Sequence, residues 1–132
     1  MNESSNGKGR EPSTTAKLSI QCMEDSKRWF PDVAPSLPHH VLSLAGEVGE
    51  LANLVKKIER GSLSFKDAKV RFDVAMEVTD VYIYLLNTAA LLNIDLEQAY
   101  AVKRAENIRR FGVKPQLDVP VQNGVAGDTP TG

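Results

Sequence analysis

Two pairs of acids are the residues of this chain best suited to chemistry: Glu47 and Glu50 in AGEVGEL, and Glu77 and Asp80 in VAMEVTDVYIYLLNTAALL. On a helix, a spacing of three puts both carboxylates on one face, roughly one turn apart. Glu77 and Asp80 are the only charges between Val74 and Leu92, and a helix this apolar around its girth is expected to be buried. A buried carboxylate needs a partner or a metal, because an isolated buried charge is too costly. Packed helices lie about 8–10 Å apart axis to axis, so acids reaching inward from two of them could meet around one or two cations. The donor set is oxygen only, and neither pair has the His three residues on that di-iron bundles use. Hard oxygen ligands favour Mg²⁺, with Mn²⁺ as the alternative. Mg²⁺ held by a few carboxylates usually shares its shell with water and substrate phosphates. Taken singly, each pair also reads as a solvated surface pair.

A complementary set follows downstream. Lys103, Asn107 and Arg110 fall at i, i+4 and i+7 on one helical face, with Arg104 and Arg109 nearby. Cations and an amide donor suit phosphate and sugar oxygens, although a solvated basic face near a helix C-terminus has the same composition. Lys57 points nearly the same way as Glu50, two turns on, and could reach a terminal phosphate. Trp29, with Phe30 beside it, could stack on a base or simply close a helix end. His39 and His40 sit near the acids at the start of the second helix, where solvation is the simpler reading and substrate contact the sharper one. Tyr84 and Asn87 share the face of the acids and could line a pocket or make structural hydrogen bonds. Cys22 reads as a buried thiol.

The elements that must position these residues are helices throughout. A first runs from about Thr14 to Phe30, with Leu18, Cys22 and Trp29 near one face and Pro31 helping to stop it. Pro31–Pro38 is a rigid loop. Ser36 caps a second helix that carries Pro38 in its first turn and ends at Arg60 before Gly61. Its apolar stripe is Val41, Leu44, Val48, Leu51, Val55 and Ile58. Gly46 and Gly49 each cost about 1 kcal/mol of helix propensity relative to Ala, which suggests close approach of a partner helix or ligand. Ser64, followed by Asp67, resembles an N-cap for a third element reaching about Asn93, with a break near Lys69–Asp73 left open. Asp95 and Gln98 form a capping-box-like start to a fourth helix ending near Phe111–Gly112. The spacing predicts an all-α bundle of about four helices spanning 14–112, flanked by a disordered segment at 1–13 and a flexible tail at 113–132. Four helices cannot easily cover a central one that is apolar on every side, so a homodimer or homotetramer is expected.

Composition bounds the partners. The 132 residues carry 16 basic and 17 acidic side chains for a net charge of −1, and a single cysteine. No global field points to nucleic acid or to an anionic membrane. The acids and Asn87 argue against Val74–Leu92 as a membrane span. The polar N-terminus has no signal-peptide core, and the lone Cys22 fits a reducing, cytoplasmic setting.

Taken together, Glu47-Val-Gly-Glu50-Leu, Glu77-Val-Thr-Asp80-Val, Asn93-Ile-Asp-Leu and Lys103, Asn107 and Arg110 resemble MazG-type all-α nucleoside triphosphate pyrophosphohydrolases, over about Leu37–Phe111. The resemblance implies a Mg²⁺-dependent helical oligomer that cleaves an NTP or dNTP to the monophosphate and pyrophosphate. It makes Glu47, Glu50, Glu77 and Asp80 the metal ligands, and Lys103, Asn107 and Arg110 the phosphate or nucleotide contacts. Glu50, with Glu47 beside it, is the candidate to orient or deprotonate the attacking water. Val55-Lys56-Lys57 stands where dCTP-type members often carry a tryptophan. Two other readings remain: a phosphoribosyl-ATP pyrophosphohydrolase-like enzyme, and a non-catalytic helical oligomerisation or regulatory module.

Overall fold

The computed structural model describes residues 11–112, and the expectations for the segments before and after them lie outside the described residues. Four helices follow one another: α1 (Thr14–Trp29), α2 (Leu37–Glu59), α3 (Ala68–Leu91) and α4 (Leu96–Phe111), with no strand among the described residues. The all-α bundle expected from the sequence is the fold observed.

Each helix begins on a side chain that satisfies backbone N–H groups the helix itself leaves free. Ser13 accepts from the Ala16 N–H, Ser36 from His39, Asp67 from Lys69, and Asp95 from both Glu97 and Gln98. Gln98 Nε2 returns a 3.0 Å hydrogen bond to Asp95, completing the expected box-like start of α4. The expected start of α3 needs correcting. Asp67 is its cap, while Ser64 Oγ accepts from the Lys66 N–H in a separate turn. No break interrupts α3 at Lys69–Asp73. The ends of α2 and α3 are built alike. Gly61 (φ 75°) and Asn93 (φ 52°) take left-handed conformations, and the next N–H in each case reaches back to the Lys57 or Ala89 carbonyl. This is the Schellman arrangement, which satisfies carbonyls at a helix end.

α2 and α3 form the most extensive contact, α1 packs on α3, and α4 packs mainly on α1. The approach of Glu47 to Glu77 and Asp80, and of His40 to Tyr84, makes α2 and α3 antiparallel. The face of α2 turned inward is His40, Leu44, Glu47, Leu51, Leu54 and Ile58, all buried or half-buried. Val41, Val48 and Val55, expected in the core stripe, form an adjoining exposed row. In α1 the buried positions are Ser19 and Met23 rather than Leu18, Cys22 and Trp29. Cys22 is half-buried, and burial followed by the nearby Asp25 charge raises its thiol pKa. α3 is buried only at Val70, Leu86, Asn87 and Ala89, and it leaves Phe72, Met76, Val78 and Tyr82 exposed. As the sequence suggested, the other helices of one chain do not cover α3 on every side.

α4 has no buried residue and is held at its start. Ser13, the cap of α1, donates to Asp95, the cap of α4, at 2.9 Å, and Thr15 donates twice to Glu97. Burial opposes the Asp95 charge, but hydrogen bonds from Gln98, Ser13 and Glu97 outweigh it and hold this carboxyl below its ordinary range. A lowered folded pKa contributes stability above the unfolded value, about 3.9. That stability is lost as pH falls through the folded value. Asp95→Ala should speed amide hydrogen exchange along α4 at neutral pH while leaving the α2–α3 pair protected as before. Equal acceleration in α2 and α3 would contradict this local role.

Candidate metal centre and adjoining cavity

Carboxylate oxygens of Glu47, Glu77 and Asp80 lie within 4.8 Å of one another across the α2–α3 seam. The helical spacing of three delivers Glu77 and Asp80 from α3, and antiparallel packing sets Glu47 against them. No hydrogen bond or ion pair neutralises any of these acids or Glu50 among the described residues. Of the cations preceding Glu77 on α3, Lys69 pairs with Asp73 and Arg71 donates to the carbonyls of Phe65 and Lys66. Glu77 Oε2 is buried without a partner. An unmade hydrogen bond at a buried polar group costs about 1–3 kcal/mol, and more where the group is charged. Burial first, then the charges of Asp80, Glu50 and Glu77, raise the Glu47 pKa. Three acids with converging oxygens, one of which also carries a buried bare oxygen, fit a divalent oxygen-ligated cation that would remove this repulsion.

Glu50 is exposed and lies outside the three-acid group, although its charge acts on Glu47. Gly46 and Gly49 have nothing within 4 Å of where a Cβ would stand, so no close approach occurs there within the chain.

Along the same seam lies a cavity of about 190 Å³, bounded by Met23, Ser26 and Phe30 of α1 and its end, His39 and His40 of α2, and Tyr84 of α3. His40 and Glu47 are seven residues apart, hence on one face of α2 with about 10.5 Å of rise between them. Tyr84 is one turn beyond Asp80 on α3. The acids and the cavity thus lie along the same α2–α3 seam, about two helical turns apart. Tyr84 and His39 both line this cavity. Asn87 lies behind it, 1% exposed, donating to Ser26 Oγ at 3.1 Å with its own Oδ1 unpartnered. The solvated reading of the histidines holds for His39 and fails for His40, which is 5% exposed. Nothing in the sequence marked the burial of His40, because the pocket around it is assembled from three helices. Trp29 is 67% exposed and outside the cavity wall, where Phe30 stands instead.

The basic set is not gathered with the acids. Lys103 pairs with Glu106 at 2.8 Å, Asn107 is exposed, and the Arg110 guanidinium lies 5.0 Å from the Phe111 ring centroid. Lys57 is exposed and has no ion pair among the described residues.

No protein-family model matches the chain. The chain is 39% identical over 75 residues to dCTP pyrophosphatase 1 of Bos taurus, a stretch covering 55% of this chain and 44% of that protein. It is 40% identical over 76 residues to dCTP pyrophosphatase 1 of Mus musculus, with the same coverage. The chain therefore spans less than half the length of the curated relatives it matches. The similarity agrees with the resemblance carried by the two acid motifs.

The raised Glu47 pKa has a sign that can be tested. A carboxyl whose folded pKa exceeds its unfolded value, about 4.3, favours folding fully below that value. The contribution is lost as pH rises through the folded pKa. At pH 7 without divalent metal, Glu47→Gln should melt at or above the wild-type temperature, with the gap closing toward pH 4. Excess Mg²⁺ should reverse the order, because binding stabilises only the protein that keeps its ligand. Thermal unfolding with Mg²⁺ and with chelator reads both effects, and a chelated wild type more stable than the variant at pH 7 would refute the repulsion.

Proposed function

We infer that the chain is a nucleoside triphosphate pyrophosphohydrolase, cleaving an NTP or dNTP to the monophosphate and pyrophosphate, with dCTP as the leading substrate by similarity to the relatives. The observation that carries this reading is the α2–α3 seam, with three unneutralised acids at one level and a ring-sized cavity about two turns away. Glu47, Glu77 and Asp80 would hold Mg²⁺, with Mn²⁺ the alternative, and Glu50 would complete the set from the exposed edge. Mg²⁺ bound there supplies Lewis-acid polarisation of phosphate oxygens and a more acidic water. Glu50, nearest to solvent, accepts the proton of the attacking water. The water oxygen bonds to the α-phosphorus, the bond from that phosphorus to the α–β bridging oxygen breaks, and pyrophosphate leaves. Tyr84 and His39 contact the nucleoside in the cavity, with Asn87 holding Ser26 in place behind it. Trp29, exposed and next in sequence to the lining residue Phe30, is assigned to the base. Lys57 is assigned to the terminal phosphate.

A second copy of the chain belongs to this reading. Val41, Val48 and Val55 on α2 and Phe72, Met76 and Val78 on α3 are apolar and exposed, and an apolar surface of this kind marks an interface. Because α4 packs on α1 rather than against the acids, we assign Lys103, Asn107 and Arg110 to phosphates bound by the partner copy, in a homodimer or homotetramer. No helix of the described residues is long and apolar enough to cross a membrane. Cytoplasmic residence and a domain spanning 14–112 complete the proposal. The unpartnered Glu77 oxygen weighs against the purely structural module, which gives it no role.

Pyrophosphate release should appear with at least one nucleotide of a panel of NTPs and dNTPs, and chelator should abolish it. Glu50→Gln should lower turnover by about a hundredfold or more, as loss of a general base does, without changing helicity. Absence of release across the panel from folded protein would sink the reaction class. Mixing Glu77→Gln with Arg110→Ala, each inactive alone, should restore activity if the two residues act in different copies. No recovery from mixed oligomers would place Arg110 with its own acids or outside the site.

A further inference from the structure

The cavity wall contains an imidazole with nothing to bond to. His40 is 5% exposed, and neither Nδ1 nor Nε2 has a partner. Its ring centroid lies 5.4 Å from that of His39 on α2 and 6.1 Å from that of Tyr84 on α3. From α1, Met23, Ser26, Lys27 and Phe30 face the same space. The titratable groups around His40 are thus Lys27, His39 and Tyr84, and no carboxylate of the described residues lines the cavity. Lys27 and His39 can contribute only positive charge. A proton on His40 would therefore create a buried cation with no partner, an arrangement that folded proteins avoid. Burial first, and then the His39 charge, lower the His40 pKa, so the closed cavity holds this ring neutral at pH 7.

Of the three walls, α1 is the one free to yield. α2 and α3 make the most extensive contact, and α1 reaches the pair chiefly through α3. Met23 is the one apolar side chain that α1 buries fully. Ser26 and Asn87 join α1 to α3 by a hydrogen bond of 3.1 Å. Lifting the end of α1 would expose little apolar surface and would bring water to both nitrogens of His40.

We propose that His40 is a proton-operated latch on the cavity. Neutral, it lets the end of α1 close against α2 and α3; protonated, it is hydrated only when α1 lifts away, so mild acid opens the cavity. The proton is taken up by the open form, in which the imidazole has its ordinary value of about 6.5. Seating of α1 is fully favoured above that value and weakens as pH falls below it. The latch goes beyond the pyrophosphohydrolase reading and acts on whatever the cavity holds.

Amide hydrogen exchange in the full chain with Mg²⁺, at pH 7.5 and pH 5.5, tests this directly. Each rate is divided by that of the unstructured sequence at the same pH. A helix of 16 residues is marginal in water once detached, so an unseated α1 loses protection. In the wild type, residues 23–29 should lose protection severalfold at pH 5.5 relative to α2 and α3. The ceiling is about tenfold, set by one imidazole gaining one proton over that interval. His40→Leu and His40→Gln cannot take up that proton and should keep α1 equally protected at both pH values. His39→Gln should retain the acid response. A wild-type α1 protected equally at both pH values would overturn the latch, as would the same acid loss in His40→Leu. So would NMR titration of the His40 ring that charges it without loosening α1. Should His40→Leu fail to fold, His40→Gln carries the same expectation. Because turnover is not measured, failure of the latch and failure of the hydrolase reading remain separate results.

Discussion

The constraint on which the structure turns is the coexistence of like charges in the α2–α3 seam. Antiparallel packing of two helices with inward acids drives Glu47 against Glu77 and Asp80, and water cannot screen them fully. A seam serving only stability would place apolar side chains there, as it does at Leu44, Leu51 and Leu54 on either side of Glu47. The fold accepts the repulsion because leucines one turn away in each direction keep the helices together. Electrostatic strain in one layer is thus held by apolar layers above and below it.

That arrangement also sets the axis of the seam. Residues seven apart on α2 and four apart on α3 align, so a ligand lying along the seam meets acids at one end and rings at the other. α1 closes the ring end through Met23, Ser26 and Phe30, and no other described helix packs extensively on the α2–α3 pair. The dimensions of the cavity therefore depend on how α1 seats on α3, and the Ser26–Asn87 hydrogen bond is the polar contact joining them.

Much of this was legible in the chain. The acid pairs, the caps at Ser36 and Asp95 and the stop at Gly61 are local signals, each set by residues within one turn of the feature. What misled was the direction of burial. Val41, Val48 and Val55 have the right period for a core face, but periodicity cannot tell the side turned to the same chain from the side turned elsewhere. In α1, Ser19 lies inside because its hydroxyl can donate to the Thr15 carbonyl, a device that hides a polar residue from hydrophobic pattern reading. His40 was opaque for a different reason, since its burial depends on residues contributed by α1 and α3. Glu50 was opaque too, because a spacing of three leaves it about 60° round α2 from Glu47, at the exposed edge.

The two Schellman ends carry a consequence for the order of assembly. Gly61 reverses the chain sharply after α2, so the contacts between α2 and α3 join segments close in sequence. Ser26 and Asn87 are separated by 61 positions, and Ser13 and Asp95 by 82. Closing a longer loop costs more chain entropy, and contacts of short sequence separation form faster. The helical hairpin that gathers the acids should consequently form first, with α1 recruited onto it later. During folding the chain would possess its cluster of negative charge before it possesses a cavity, and early encounters with divalent cations would fall on the acid end of the seam alone.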